Sequence, residues 1–283
     1  MFTIIFDTYG GLCNQMYDIH SAVNFCATYN IPFSFRYASF RSNNNLCTWF
    51  DVLFDDIFND QFLSNIDLYK PYNTLNCNLD NTYNYDNKAR AIEWINAENP
   101  IIPQLECVNK SYIVLKQFWA IDCIIKERCV IKEIYPIYPN IEPCFKLLSI
   151  FKRIADAILP EKYNYIHYRY EDDFNNHFKI TNPLKICDII EHVQFKNNTL
   201  PVYIAASNIT NLPHNLLHYP IDQIENIIYK PADFTYNLNF EEAAFIDYMI
   251  GKHANEVYGH NNSSFSALLN SLHVTNNYYN LEM

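Results

Sequence analysis

With 283 residues, 49% of them hydrophobic and 18% charged, the chain is long enough for two domains with their own cores, which excludes disorder as its main description. A formal net charge of −11, from 31 acidic and 20 basic side chains with no local basic patch, argues against nucleic acid and anionic membrane surfaces as partners. Nine cysteines are an odd number without a Cys-x-x-Cys pair or a His/Cys cluster at zinc spacing, so they read as reduced thiols rather than as disulfides or metal ligands.

Met1 runs directly into the strand-like Phe2 to Phe6 without the features of a signal peptide. No apolar stretch approaches the roughly 18 residues of a membrane helix, so no membrane span is expected and the chain is placed in a cytoplasm. The excess of Asn, Ile, Tyr and Phe over Ala and Gly fits codon drift in an AT-rich genome such as that of a large DNA virus, which would make this a host-cell cytoplasm. Against the same drift the Asn-x-Ser/Thr triplets are chance occurrences and do not imply glycosylation. Only four glycines survive, Gly10, Gly11, Gly251 and Gly259, where about 20 are usual for this length. Such survivors mark backbone that needs a positive φ or a close approach.

The chain opens with a strand (Phe2 to Asp7), a glycine loop (Thr8 to Asn14) and a helix from Gln15 to Tyr29, whose Met16, Ile19, Ala22, Val23 and Cys26 recur at helical spacing. Ile31 to Phe35 offers a second strand, and a β-loop-α-β opening predicts an α/β domain. From Phe40 to Asn109 the pattern is weak, and the polar run Asn73 to Lys88 reads as a long surface loop. Ser111 to Phe118 resembles a buried strand, and the prolines between Ile134 and Pro143 mark a linker. The spacing then predicts helices over Phe145 to Leu159, Pro183 to Glu191, Phe240 to Lys252 and Ser264 to Leu272. Strands are predicted over Tyr163 to Arg169, Pro201 to Ala206, Ile224 to Tyr229 and Glu256 to Tyr258.

Three segments have the composition of a site. Tyr9-Gly10-Gly11-Leu12-Cys13-Asn14-Gln15 is a glycine loop at a helix start, where free N–H groups make an anion site and the two amides suit a hydroxyl-rich ligand, although a plain tight turn explains it equally well. It matches neither the dinucleotide fingerprint nor the P-loop. In Tyr165 to Asp173, strand alternation puts Tyr165, His167, Arg169 and Glu171 on one face, with Arg169 at the carboxyl end where open α/β sheets bind ligands. Its guanidinium is suited to a diphosphate, with an ion pair to Glu171 or Asp173 as the structural alternative. Glu171-Asp172-Asp173 reads as a solvated turn rather than a metal site. In Gly259-His260-Asn261-Asn262-Ser263-Ser264-Phe265 a polar cluster opens a helix, either as an ordinary cap or as a ligand cradle with an aromatic ring to flank a base.

In this order the segments resemble the protein O-fucosyltransferase superfamily, including its plant members and the related α1,6-fucosyltransferases. Gly10-Gly11-Leu12-Cys13-Asn14-Gln15 is similar to the family's Gly-Gly-x-x-Asn-Gln loop, His167-Tyr168-Arg169 to its His-x-Arg strand, and Ser263-Ser264-Phe265 to its C-terminal Ser-Ser-Phe segment. Val202 to Ala206 and the stretch from Phe245 to Gly259 fall in step between them. The resemblance implies a GT-B architecture of two Rossmann-like domains, at residues 1–140 and 141–283, with the donor in a cleft between them, no metal and no cofactor. It implies inverting transfer of a sugar, most often L-fucose from GDP-fucose, to a glycan or glycoprotein acceptor. On that resemblance Arg169 holds the β-phosphate, His167 contacts the nucleoside, and Asn262, Ser263, Ser264 and Phe265 bind diphosphate and base. Asp247 reaches the base or ribose, and Gly10, Gly11 and Asn14 lie beside the transferred sugar. Tyr17 stands where plant members usually have Arg.

A general base for the acceptor hydroxyl must lie within hydrogen-bond reach of it. His20, Asp18, Asp51 and Glu171 are available, and Asp18 and His20 rank slightly ahead because they follow the glycine loop, with a solvated helix face as the alternative for each. The sequence leaves open a same-fold transferase using GDP-rhamnose, UDP-rhamnose or UDP-xylose, and a catalytically silent nucleotide-sugar or carbohydrate-binding module.

Overall fold

The computed structural model describes residues 2–42, 48–85, 105–116, 137, 139–171, 175–176, 179–180, 184–196, 200–207, 212, 216–217, 223–231, 233, 237–260, 262–272 and 278–281. The chain divides into two compact units, Met1–Leu148 with Asn239–Ala244, and Ser149–Leu238 with Phe245–Met283. Of the linker expected over 134–143, residues 134–136 and 138 lie outside the described residues.

The first unit is built on a sheet of order β3-β2-β1-β6-β5, comprising β1 (Thr3–Asp7), β2 (Phe33–Arg41), β3 (Trp49–Leu53), β5 (Thr82–Tyr85) and β6 (Tyr112–Lys116). β1 lies at its centre and pairs in parallel with β2 and β6, so that Ile4 faces Phe33 on one side and Ile113 on the other. A parallel strand covered on both faces needs a continuous apolar run, which Ile4-Ile5-Phe6 supplies. β3 joins β2 antiparallel at the edge. Short strands β4 (Phe58–Asn59) and β7 (Glu142–Pro143) pair separately.

Helix α1 (Leu12–Tyr29) follows β1 and stops at Asn30, which adopts the left-handed conformation at φ 54 and donates its N–H to the Ala27 and Cys26 carbonyls. The helix is enclosed well beyond its apolar stripe: Gln15, Asp18, His20, Ser21 and Asn24 are buried alongside Met16, Ile19 and Val23. The solvated face that the sequence allowed for Asp18 and His20 is therefore corrected.

In the second unit a sheet of order β10-β9-β8-β11-β12 is parallel throughout. Its strands are β8 (Asn164–His167), β9 (Val202–Ala205), β10 (Ile227–Ile228), β11 (Glu256–Gly259) and β12 (Tyr278–Asn280). The unit also carries helices α3 (Ile186–Lys196) and α5 (Ser264–Leu272), while α2 (Phe145–Ile158) and α4 (Phe240–Lys252) begin in segments assigned to the first. Ile166, Ile190, Val193, Ile204 and Tyr258 form one apolar cluster. Tyr165, on the other face of β8, stacks on Tyr203 at 5.7 Å.

Six strands depart from the sequence reading, β4, β7 and β12 among them because no strand was expected there. β2 continues six residues beyond Phe35 because Arg36 and Arg41, which look like surface residues, find carboxylate partners. β3 carries no predicted signal, and β5 lies inside the run read as loop. β3 and β5 are edge strands, so half or more of their residues face solvent and the apolar alternation that marks a strand is missing.

Candidate functional site

At the carboxyl end of β8, chain alternation turns His167 away from the Ile166 cluster, and two groups hold it. Its ring stacks on Phe265 at 4.4 Å and 27°, and its Nδ1 is hydrogen-bonded to Ser266 Oγ at 2.7 Å. Burial, then the charge of Arg169 and the nearby His260, push its pKa well below the ordinary value, so the ring is neutral. Two residues on, Arg169 gives its Nε to Glu171 Oε2 at 2.7 Å, and the same oxygen accepts the Tyr170 N–H at 3.2 Å. This is the structural ion pair that the sequence left open, and it leaves the guanidinium partly exposed at 28%. Asp172 and Asp173 lie outside the described residues.

The start of α5 meets the same strand end. Gly259 closes β11 next to Ser266: a Cβ there would stand 2.9 Å from Ser266 Cβ, so only glycine lets the serine hydroxyl reach the strand. Ser266 Oγ accepts the His260 N–H at 3.2 Å, which ties the loop back to the helix. Burial, with the Arg169 charge, lowers the His260 pKa to about 4, against a backbone contact at Leu281 and the Glu171 charge, which raise it. Ser263 is 3% exposed, and its Oγ has no hydrogen-bond partner among the described residues. Ser264 and Phe265 are half-buried and Asn262 is exposed, while Asn261 lies outside the described residues. His167, Arg169 and Ser263–Phe265 are thus gathered at one strand-helix junction.

Asp247, on α4, is engaged elsewhere. Its Oδ1 accepts the Tyr203 hydroxyl at 2.8 Å and its Oδ2 pairs with Lys230 Nζ at 2.5 Å. Any role at a base or ribose would have to share a carboxylate already bonded at both oxygens. Lys230 carried no signal in the sequence, and Tyr203 only as part of the strand read over Pro201 to Ala206.

In the first unit, Gly10 has φ +94, a conformation that demands glycine, and a Cβ there would press on Asn14 at 3.2 Å. Gln15 is fully buried and uses its whole amide on the chain. Nε2 donates to the Gly10 carbonyl at 2.9 Å and the Ser39 carbonyl at 2.8 Å. Oε1 accepts the Thr8 hydroxyl and the Ser39 N–H, both at 2.9 Å. The expectation that Gln15 would bond a ligand is corrected, since it braces the loop instead. The helix start is also occupied: the Leu12 N–H donates to Glu241 Oε2 at 3.1 Å. Glu241 is 0% exposed and takes Arg41 Nε at 2.5 Å and Nη2 at 3.3 Å. Arg41 lies 3.9 Å from the centre of the Phe240 ring, 5.3 Å from that of Trp49, and against Gly11. The anion site expected at this helix start is filled by the chain's own carboxylate, and nothing in the sequence linked residues 200 positions apart.

Asn14 is half-buried, with Oδ1 buried and unpartnered among the described residues, which leaves it the amide of the loop able to take a hydroxyl. Asp18, 1% exposed, accepts the Tyr9 N–H at 2.9 Å, and burial holds its pKa well above the carboxylate range. His20 is 1% exposed and burial lowers its pKa to about 3. Each is therefore enclosed, Asp18 against the loop's own backbone, and neither is open to an acceptor as the chain stands.

Among the described residues no three His, Cys, Asp or Glu side chains converge to hold a metal, and no helix is long and apolar enough to cross a membrane. The chain matches no protein-family model, and no curated protein matches its sequence. Solved structures do match its fold. POFUT1 in complex with GDP is similar over 100% of this chain and 99% of its own, with TM-score 0.58 and 10% identity. NodZ α-1,6-fucosyltransferase soaked with GDP-fucose is similar over 96% of this chain and 93% of its own, with TM-score 0.55 and 12% identity. The fucosyltransferase NodZ from Bradyrhizobium matches over 97% and 94%, with TM-score 0.53 and 12% identity. Along its whole length the chain therefore has the mixed α/β fold, with parallel sheets, of the POFUT1 and NodZ fucosyltransferases.

Proposed function

We propose that the protein is an inverting, metal-independent glycosyltransferase of GT-B architecture that moves L-fucose from GDP-fucose to a hydroxyl of a glycan or glycoprotein. The observation that carries this reading is the meeting of His167, Arg169 and the Ser263–Phe265 helix start at the carboxyl edge of a parallel sheet, the place where open α/β sheets take nucleotides. POFUT1 and NodZ, whose fold it shares, have been solved with GDP-fucose.

In the reaction the acceptor oxygen forms its bond to the anomeric carbon as the bond from that carbon to the β-phosphate oxygen breaks, the electron pair leaves with the diphosphate, and the acceptor hydroxyl's proton passes to that diphosphate directly or through water. Arg169 and the N–H groups opening α5 are fixed donors for that developing charge. Glu171 holds Arg169 through Nε and so fixes the guanidinium plane. Phe265 and His167 present a stacked aromatic edge suited to a nucleoside. Within the first unit's glycine loop Asn14 keeps an amide oxygen able to take a hydroxyl, because Gln15 and the Leu12 N–H are already satisfied.

The test is thermal stabilisation by GDP, GDP-fucose, UDP and UDP sugars, with and without chelator, since a ligand bound to the native state raises its apparent stability. A shift with GDP and GDP-fucose that survives chelation is expected. A shift with UDP alone would move the donor to UDP-rhamnose or UDP-xylose, and stabilisation without turnover of any donor would leave a silent binding module.

A further inference from the structure

A neutral imidazole has one N–H and one lone pair, and the partner at one nitrogen decides what the other presents. His167 Nδ1 lies 2.7 Å from Ser266 Oγ, with His167 7% and Ser266 0% exposed. Ser266 Oγ already accepts the His260 backbone N–H, so one lone pair is used and its single O–H remains to be placed. The Tyr278 hydroxyl stands beside Ser266 and has no other acceptor among the described residues, so in its contact with Ser266 it is the donor, to the second serine lone pair. Among those residues His167 Nδ1 is then the acceptor for the serine proton. The ring cannot turn to exchange its nitrogens while it lies on Phe265 at 4.4 Å, and the neighbouring Arg169 opposes a second proton on it.

We propose that Ser266 is a positioning residue for His167: its hydroxyl donates to Nδ1, holds the ring as the Nε2–H tautomer, and gives the site a neutral, fixed donor for an acceptor atom of a nucleoside. The identity of the ligand rests on the glycosyltransferase reading; the tautomer does not. Ser266 is anchored from β11 and by its place in the first turn of α5, so the donor is set by two elements that a merely packed serine would not join.

Long-range ¹H–¹⁵N NMR of histidine-labelled protein, with His167 assigned through His167→Gln, reads the tautomer directly. In the unsubstituted protein Nδ1 is expected unprotonated and Nε2 protonated between pH 6 and 8. In Ser266→Ala the ring should populate both tautomers and GDP should bind about 3- to 10-fold more weakly, the range for one lost hydrogen bond. Ser266→Thr, which keeps the hydroxyl, should restore both readouts. A proton on Nδ1 in the unsubstituted protein, or an unchanged tautomer in Ser266→Ala, overturns the proposal, and the first of these needs no variant to fold. An Nε2–H ring in a protein that binds no GDP supports the role of Ser266 and overturns the nucleotide reading, whereas GDP binding to an Nδ1–H ring does the reverse.

Discussion

Replacing Glu241 should loosen the glycine loop from a position 229 residues away in the sequence. Its carboxylate is 0% exposed and meets two partners, the Arg41 guanidinium and the Leu12 N–H that opens α1. Removing one member of a buried ion pair costs about 3–5 kcal/mol, because the other is left desolvated and unpaired. Arg41 is 23% exposed and its head lies close to Phe240 and Trp49, so water recovers part of that cost and about 2 kcal/mol of it remains. Glu241→Ala, which also removes the acceptor at the helix start at about 1 kcal/mol, should therefore destabilise by about 3 kcal/mol. Glu241→Gln keeps an acceptor for Leu12 and should cost about 2 kcal/mol. Urea unfolding of both variants, of Arg41→Met and of Arg41→Met/Glu241→Gln completes a double-mutant cycle, in which a coupling of about 1–2 kcal/mol is expected for groups in direct contact. Additive single effects, or a Glu241→Ala variant within about 0.5 kcal/mol of the unsubstituted protein, would refute the account of the helix start given above.

Gly259→Ala forces a Cβ against Ser266 and should cost about 1–3 kcal/mol of stability while weakening GDP binding, read by unfolding and calorimetry; an unaffected protein would mean that the strand end tolerates a side chain. Arg169→Ala should lower turnover under saturating donor by roughly 10²-fold, and near-full turnover would remove Arg169 from the leaving-group role. His20 titrates at about 3 in the folded chain and near 6.5 unfolded, so the unfolded state binds the extra proton and stability is lost as pH falls from 6.5 towards 3. His20→Phe should remove about 2 kcal/mol of the stability difference between pH 7 and pH 5, read by urea midpoints at the two pH values, and an unchanged difference would place His20 in contact with water.

The parts of the fold and site that were legible in the sequence are those written in consecutive residues. α4 and α5 begin and end where their periodicity and flanking polar residues put them, and His167, Arg169 and Ser263–Phe265 sit at strand and helix ends that the pattern located. The edge strands β3 and β5 were not legible because half or more of their residues face solvent, leaving no apolar alternation to read. The Arg41–Glu241 pair was not legible because each residue alone reads as surface and only the fold brings them together. Asp18 and His20 misled for the converse reason: polar side chains inside α1 give a helix the appearance of a wet face that packing has closed. Ser266 offered one clue, since it stands one helical turn beyond Ser263 and so on the same side of α5.

Gln15 has a consequence for what ligand binding costs. One side chain bonds Thr8, Gly10 and both polar groups of Ser39, so the loop, the strand behind it and the helix beside it are fastened at a single buried amide. The ordering entropy of the glycine loop is then met when the chain folds, so any ligand that met this loop would find a preorganised surface rather than one it must assemble. A loop of this kind is expected to show the slow amide exchange of the core at Gln15 and Ser39 in the absence of any ligand.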